Sequence, residues 1–444
     1  MQRAQTRKKR QHIVGKGRVA ISEPHCHERA TPATYARFLR GDVSTNKAFT
    51  FVSLFSGAGI GDYGLKLAGG LCLGACEIDP HRRAVHEANI AAEKLWSDIR
   101  EDAPAIAAHF AKVAVDLVML TPPCQSFSTA NARRGNRELP DDADKDHRNG
   151  LFFVGLEVVK AIRPKVIVFE NVPNFLERLV RDPSSGEVGR IQDLIELHLR
   201  DYVGITLVTC FSKLGIPQRR KRALAIYVLR EMKWSAQLLD QVGQPEKWGG
   251  KLSRAPRTLA AALAAMEPLD GTDPVAATSK KDILHSVPSY TPTHYRWIDG
   301  ISSGSGQSAW ENNCESCGAA PLSLGEVICS SCGNEVETRP HVRDANGFRP
   351  IRGYKTSYRR MAPDDLAPTV TTASGHFSSD LKLHPFENRV LSARECALLQ
   401  TVPLSFNFPE AQRMKRNYLV RVMIGEAVPT LVSYRLAKSI AAYV

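Results

Sequence analysis

Long apolar runs are missing from this sequence: none of its 444 residues belongs to a stretch that could span a bilayer. Charge clusters near the start, at Arg3, Arg7, Lys8, Lys9, Arg10, Lys16 and Arg18, but no apolar segment follows it, so the pattern is not a secretory signal. Cysteine is sparse. Ten residues, four in two close pairs and six scattered, make no disulfide framework and suit a reducing compartment. Acidic side chains are outnumbered, 46 against 59 Lys and Arg, and the net charge of +13 favours a polyanionic partner without requiring one. These absences lead us to expect a cytoplasmic protein with no membrane association and no obligate protein partner. Residues 1–47 read as a basic, solvated tail in preference to a dedicated nucleic-acid arm.

What is present is an alternation of short apolar runs with helical spacing. Strands are expected at Phe51–Phe55, Leu73–Ile78, Val115–Leu120, Val166–Phe169, Leu207–Phe211 and Ala223–Val228. Helices are expected after the first strand through Leu67, and over Leu151–Ile162 and Ile191–Leu199. Such alternation means an α/β domain built on a mostly parallel sheet covered on both faces. Residues 233–385 differ, being rich in Pro, Gly, Ser and Thr, with one clear helix at Leu259–Met266. Helical patterns return at Ser392–Gln400 and Pro429–Tyr443. The order is therefore a large domain (48–232), an inserted smaller one (233–385) and a C-terminal return to the first (386–444).

The segment Phe55-Ser56-Gly57-Ala58-Gly59-Ile60-Gly61-Asp62-Tyr63-Gly64 joins a strand to a helix. Glycines there let the backbone approach a ligand, and the helix N-terminus favours electron-rich groups. Glu77, ending the next strand, is placed to accept from ribose hydroxyls, and Ile78 to pack on an adenine face. Gly59-x-Gly61-x-x-Gly64 also satisfies the dinucleotide-binding fingerprint, so at this point a nicotinamide or flavin enzyme competes.

After the strand ending at Leu120 comes Thr121-Pro122-Pro123-Cys124-Gln125-Ser126. Two prolines fix the backbone and withhold two amide donors, which presents Cys124 rigidly at the carboxyl edge of the sheet. Cys72, Cys76, Cys210 and Cys396, by contrast, read as inert small hydrophobes.

The Pro-Cys-Gln segment and the glycine loop resemble motifs of the DNA (cytosine-5-)-methyltransferase family. The resemblance continues in order. Glu170-Asn171-Val172 follows a strand, Gln218-Arg219-Arg220-Lys221-Arg222 is similar to the family's Gln-x-Arg-x-Arg, and Arg394 to Gln400 is similar to the helix closing its target-recognition region. Gly425-Glu426-Ala427-Val428-Pro429 resembles the last cofactor motif, with Glu426 where the family commonly has Asn.

The resemblance implies a Rossmann-like S-adenosylmethionine-dependent methyltransferase domain with a smaller inserted target-recognition domain, acting on double-stranded DNA. It implies Cys124 as the nucleophile, Glu170 as partner of the base's N3 and exocyclic amine, and Arg222 together with Arg220 at O2. It implies cofactor contacts at Phe55, Ser56, Gly57, Gly59, Gly61, Glu77, Ile78, Asp98, Ile99, Pro122, Leu151, Glu426 and Val428. The polar stretch from Gln125 to Asn149 would close over DNA behind the nucleophile, and the target base would be flipped out of the duplex. Against a catalytically silent DNA-binding relative stand Cys124, Glu170 and Arg222, all present; the length of the insert favours duplex DNA over RNA.

Independently of that family, Cys314-x-x-Cys317 and Cys329-x-x-Cys332, each followed by Gly, have the spacing of a closed structural zinc site. Zinc there would supply folding energy to a loop-rich segment. The same segment interleaves bases with aromatics: Tyr295, Arg296, Trp297, Arg343, Arg349, Arg352, Tyr354, Lys355, Tyr358, Arg359 and Arg360. Arginines reading guanine edges are one reading of these; phosphate contact or solvation is the default for any single residue.

Overall fold

The computed structural model describes residues 38–40, 48–123, 150–249, 258–351, 356–379, 381–409 and 417–444. Cys124, the stretch from Gln125 to Asn149, most of the basic tail, and Arg352, Tyr354 and Lys355 lie outside the described residues.

The first half of the chain lays down β1 (Phe49–Leu54), α1 (Ile60–Leu67), β2 (Gly70–Cys76), α2 (Pro80–Asn89), β3 (Leu95–Trp96), α3 (Ile99–Phe110), β4 (Leu117–Leu120), α4 (Leu151–Ile162) and β5 (Val166–Asn171). A hairpin of β6 (Leu179–Arg181) and β7 (Val188–Arg190) leads to α5 (Ile191–His198), then β8 (Tyr202–Cys210) and β9 (Lys221–Leu229). Seven strands form one sheet in the order β3-β2-β1-β4-β5-β9-β8. All pairs are parallel except those of β9, which runs against both β5 and β8. Every residue of β4 and β5 is buried, as expected where helices cover both faces of a sheet.

Local chemistry sets the helix ends. Asp79 caps α2 through the amides of His81 and Arg82, with Pro80 in the first turn, where its missing N–H costs nothing. Helix α4 stops at Arg163, which turns left-handed with φ 51°. Later come α6 (Ser235–Val242), α7 (Leu259–Leu263), α8 (Pro292–Asp299), the hairpin β10 (His341–Asp344) and β11 (Gly347–Pro350), α9 (Ala393–Leu399), α10 (Asn417–Glu426) and α11 (Thr430–Ile440). Ser392 and Glu395 close a capping box on α9.

Several elements differ from their sequence expectation. Strand β8 begins at Tyr202, because its exposed positions alternate with half-buried ones and give no continuous apolar run. Helices α2, α3, α6, α8 and α10 were not expected: α2 and α8 are rich in charge and polarity, and α3 contains Pro104. Helix α7 ends at Leu263, three residues short of Met266.

The C-terminal helix α11 packs on α1. Ser433 Oγ donates to the Gly61 carbonyl at 2.6 Å and Thr430 Oγ1 to that of Ile60 at 3.0 Å. Leu431, Val432, Leu436 and Ile440 share one core cluster with Phe51, Leu65 and Val168. The same cluster takes in Leu238, Leu239, Val242 and Trp248, so α6 and the turn after it rest on the sheet. Farther on, Trp297, Ile298, Trp310, Tyr358, Leu383 and Val390 form a separate small core.

Candidate active site

The sheet order places β1 between β2 and β4, so chain connections leave in opposite directions from the carboxyl ends of β1 and β4. That switch point is where open α/β sheets bind ligands. Both loops of interest start there. Phe55 and Gly57 take left-handed conformations (φ 60° and 56°), and Gly59 follows at φ 76° before α1 begins. A side chain at Gly59 would strike His86, 2.8 Å away. The Ser56 amide donates to the Cys76 carbonyl at 3.0 Å, and the Gly57 amide to Glu77 Oε2 at 3.0 Å. Glu77 Oε1 accepts from the Asp79 amide at 2.9 Å. Beside this buried carboxylate Ile78 is 57% exposed, a large apolar side chain facing outward at the strand end.

Behind the loop, Asp62 joins two elements: Oδ1 accepts from Ser53 Oγ at 2.9 Å and Oδ2 meets His86 Nε2 at 3.0 Å. Glu426 crosses the chain to form a two-pronged ion pair with Arg82, at 2.6 and 2.9 Å. Burial, opposed by Arg82, pushes the Glu426 carboxyl up to about 7.

Thr121 ties the second loop to the first, its amide donating to the Leu54 carbonyl at 3.2 Å and its hydroxyl to that of Phe55 at 2.9 Å. At the end of β5, Glu170 is buried beside Arg222, whose Nε lies 3.2 Å from Glu170 Oε1 without hydrogen-bond alignment. Burial raises the Glu170 carboxyl above its usual range, outweighing Arg222 and Arg220. The adjacent Asn171 Nδ2 donates to the Pro122 carbonyl at 3.0 Å.

The four cysteines of the two pairs converge. Their sulfurs all lie within 4.8 Å of one another, with Cys314–Cys332 and Cys317–Cys329 each at 3.7 Å. Sulfurs about 2.3 Å from a tetrahedral zinc would be about 3.8 Å apart, whereas a disulfide needs about 2.05 Å. Gly318 and Gly333 turn left-handed (φ 73° and 75°) and donate back to the carbonyls of Cys314 and Cys329, both at 2.8 Å. Arg339, buried, spans the two knuckles by donating to the carbonyls of Asn312, Ser323 and Glu326. The set can hold one tetrahedral metal ion.

A model of C-5 cytosine-specific DNA methylases matches residues 49–442. The chain belongs to that family. Among its relatives, the Type II methyltransferase M1.HgaI of Avibacterium volantium is 26% identical over 407 residues, 88% of this chain and 97% of the relative. The Type II methylase M.HgiDII of Herpetosiphon aurantiacus is 26% identical over 395 residues, 88% and 94% respectively. Among solved structures, one described as a putative DNA modification methyltransferase encoded within an E. coli prophage shares the fold at TM-score 0.53 and 21% identity, covering 89% of this chain and 99% of that one. The S. pombe Dnmt2 methyltransferase does so at TM-score 0.51 and 18% identity, covering 88% and 97%.

Within this family frame the structure gathers most of the expected residues at one sheet edge and redirects some. Arg220 is the main correction. It is wholly buried and donates to the carbonyls of Val370, Gly425, Glu426 and Ala427 at 2.8–3.3 Å, so it clamps the last motif and does not reach toward a base. Gln218 acts similarly, donating to the Leu399 carbonyl and Gln400 Oε1, both at 2.8 Å. The Ile99 side chain lies in the core with Trp96 and Phe110, and Val428 packs against Gly61. Asp98 caps α3 and pairs with Arg100. Leu151 packs at the edge of the main core, and Pro122 is buried.

The basic and aromatic residues interleaved in 233–385 have varied surroundings. Trp297 and Tyr358 are core, and Arg360 is buried on the carbonyls of Ile298, Ile301, His384 and Glu387. Arg296, Arg343, Arg349 and Arg359 remain partly or fully exposed but pair with Glu337, Glu335, Asp344 and Glu311. Cys72, Cys76 and Cys396 are buried, and burial raises each thiol, that of Cys76 to about 12, which makes them poor nucleophiles. Sequence reasoning missed Asn171 as a tether and Arg82 as the partner of Glu426. The first was visible as part of a motif; nothing in the sequence marked the second.

Proposed function

We propose that the protein methylates carbon 5 of cytosine in double-stranded DNA, with S-adenosylmethionine as donor, as the modification enzyme of a restriction-modification or phage-defence system. The observation that carries this reading is the pairing of a buried, raised-pKa Glu170 with Arg222 next to a tether on the loop leading into Cys124. Relatives named as Type II methyltransferases, matching 88% of the chain, support the biological setting.

Cytosine C5 is a poor nucleophile until a group adds to C6. Cys124, as thiolate, would make that bond, while the carboxyl of Glu170 donates to N3 as the ring gains electrons. Its second oxygen would accept from the exocyclic amine, and Arg222 would hold O2. The raised pKa of Glu170 favours the protonated form that this step uses. When bound, S-adenosylmethionine supplies an electrophilic methyl group on its sulfonium. Once C5 had taken that methyl, a base such as water would accept the C5 proton, the C5–C6 double bond would re-form, and Cys124 would leave C6 as thiolate.

The loop fits that cofactor in its chemistry. Ser56 Oγ is buried without a partner, Glu77 presents a carboxylate held by two backbone amides, and Ile78 offers an apolar face. Reaching C6 requires the base to leave the stack, at a cost of roughly a few kcal/mol. The target-reading region would lie within 233–385. The aromatic core and the cysteine cluster support its placement there, with the cysteines holding a structural zinc.

Bisulfite sequencing of DNA from a methylation-free host expressing the protein tests this, with Cys124→Ala as control. Protected cytosines in one short motif, absent in the control, are expected. Their absence with a folded, cofactor-binding protein would overturn the DNA reading.

A further inference from the structure

The cysteine cluster and the aromatic core of 233–385 are separate pieces of packing. Cys314, Cys329 and Val336 centre the first, Trp297, Trp310 and Tyr358 the second, and no residue belongs to both. A short segment bridges them. It begins at Val336, inside the cluster, and reaches His341, whose ring centroid lies 5.5 Å from that of Trp297. Between these two stands Arg339, only 1% exposed.

Arg339 reaches both knuckles, and the acceptors it finds are main-chain carbonyls. Nε donates to that of Asn312, shortly before Cys314, at 2.8 Å. Nη1 donates to those of Ser323 and Glu326, in the loop leading to Cys329, at 2.8 and 2.9 Å. The carbonyl of Arg339 in turn accepts from His341 Nδ1 at 2.9 Å. Asn312 carries the contact onward, its side-chain amide donating to the carbonyls of Trp297 at 3.2 Å and Thr338 at 2.6 Å. There is no slack at that point: a Cβ on Gly300, just past α8, would lie 2.7 Å from Asn312 Nδ2.

A buried guanidinium is a costly way to tie loops together. Burial works against its charge, and Glu326 offsets that only in part. A metal held by four thiolates changes the balance, because a zinc site of that kind is a dianion and the cation sits in the loops that bear its ligands. The planar fork also does what an ammonium cannot, holding two loops in fixed directions at once.

We propose that Arg339 and Asn312 form a joint through which metal on the four cysteines orders the aromatic core, with Arg339 the positioning residue for both knuckles. This rests on the zinc reading above and is independent of the DNA and cofactor readings. Such coupling is reciprocal: if metal orders the core, loosening the joint weakens the metal.

Hydrogen exchange on the full chain, with zinc and after chelation, tests the joint together with zinc affinity measured against a chromogenic chelator. In wild type, chelation should raise exchange at Trp297–Ile301 and Ala309–Asn312 and leave α4 protected. Arg339→Met and Arg339→Lys should each weaken zinc about tenfold or more. Asn312→Ala keeps the carbonyl that Arg339 uses and should still load zinc, more weakly, while exchange at Trp297 no longer follows the metal. Zinc held as tightly by Arg339→Lys as by wild type would overturn the spanning role. Wild-type exchange at Trp297 indifferent to zinc would overturn the joint and leave the zinc reading standing. A zinc-treated wild type that retains no metal would overturn both.

Discussion

Asn171 Nδ2 donates to the Pro122 carbonyl at 3.0 Å, and both groups are buried. The residue after Glu170, the proposed catalytic carboxyl, thereby holds the loop that leads toward Cys124, the proposed nucleophile. Strand β5 carries Glu170, and β4 runs parallel beside it, so a side chain at the end of one strand can fix the exit of the other. Pro122 has no amide of its own to pair, and its carbonyl takes the bond instead.

Asn171→Ala should therefore damage catalysis more than folding. Loss of one buried hydrogen bond costs about 1–3 kcal/mol when it leaves the carbonyl unsatisfied. A nucleophile displaced by about 1 Å can lose about 100-fold in rate. Single-turnover methylation and thermal melts on the same samples check this. A large fall in stability with an unchanged rate would mean that the bond serves only the fold.

Glu170→Gln should lower the methylation rate by about 10²–10⁴-fold, the range for a positioned proton donor. It should also change the pH dependence of stability. Because burial raises the Glu170 carboxyl, folding takes up a proton between its unfolded pKa, about 4.3, and the higher folded value. Below that window the folded state gains the full benefit. As pH rises through it the benefit is lost, so wild-type stability falls relative to the variant. Denaturant titrations of both proteins across that range measure the difference. Parallel curves would mean that folding does not raise the Glu170 carboxyl.

Cys314→Ser combined with Cys317→Ser should remove one zinc per chain and lower the melting temperature of the protein. Structural zinc is worth on the order of 10 kcal/mol in isolated finger peptides. The buried Arg339, whose carbonyl partners belong to the same loops, would lose its support. Elemental analysis and melting with and without chelator decide the matter. An unchanged melt with no metal released would reject the zinc.

What the sequence disclosed follows from where its signals are strong. Strands β4 and β5 are legible because both faces are buried, and α4 because its apolar spacing runs unbroken. Helix α2 was hidden because His81, Arg82, Arg83 and Glu87 dominate it, and its packing rests on a few residues such as Val85 and His86. Side-chain roles were less legible than positions. Arg220 and Arg222 sit two apart on one motif, yet Arg220, just before β9, lies in a cage of carbonyls, whereas Arg222, inside the strand, stands beside Glu170. Arg82 and Glu426 carry no shared sequence signal, since only the fold brings the ends of α2 and α10 together.

Gly64 completes the glycine pattern that invites a dinucleotide reading, but its surroundings give it a different task. A Cβ there would lie 2.2 Å from the Thr430 carbonyl oxygen, 2.4 Å from Ser433 Oγ and 2.7 Å from the Tyr434 amide nitrogen. Two of those atoms are backbone, so α1 and α11 would have to separate. Gly64→Ala should cost about 1–3 kcal/mol through overpacking. Because Ser433 and Thr430 hold the carbonyls of Gly61 and Ile60, separation would also disturb the start of α1. Denaturant titration and S-adenosylhomocysteine binding should thus fall together in this variant. Weakened binding with unchanged stability would instead place Gly64 against the ligand.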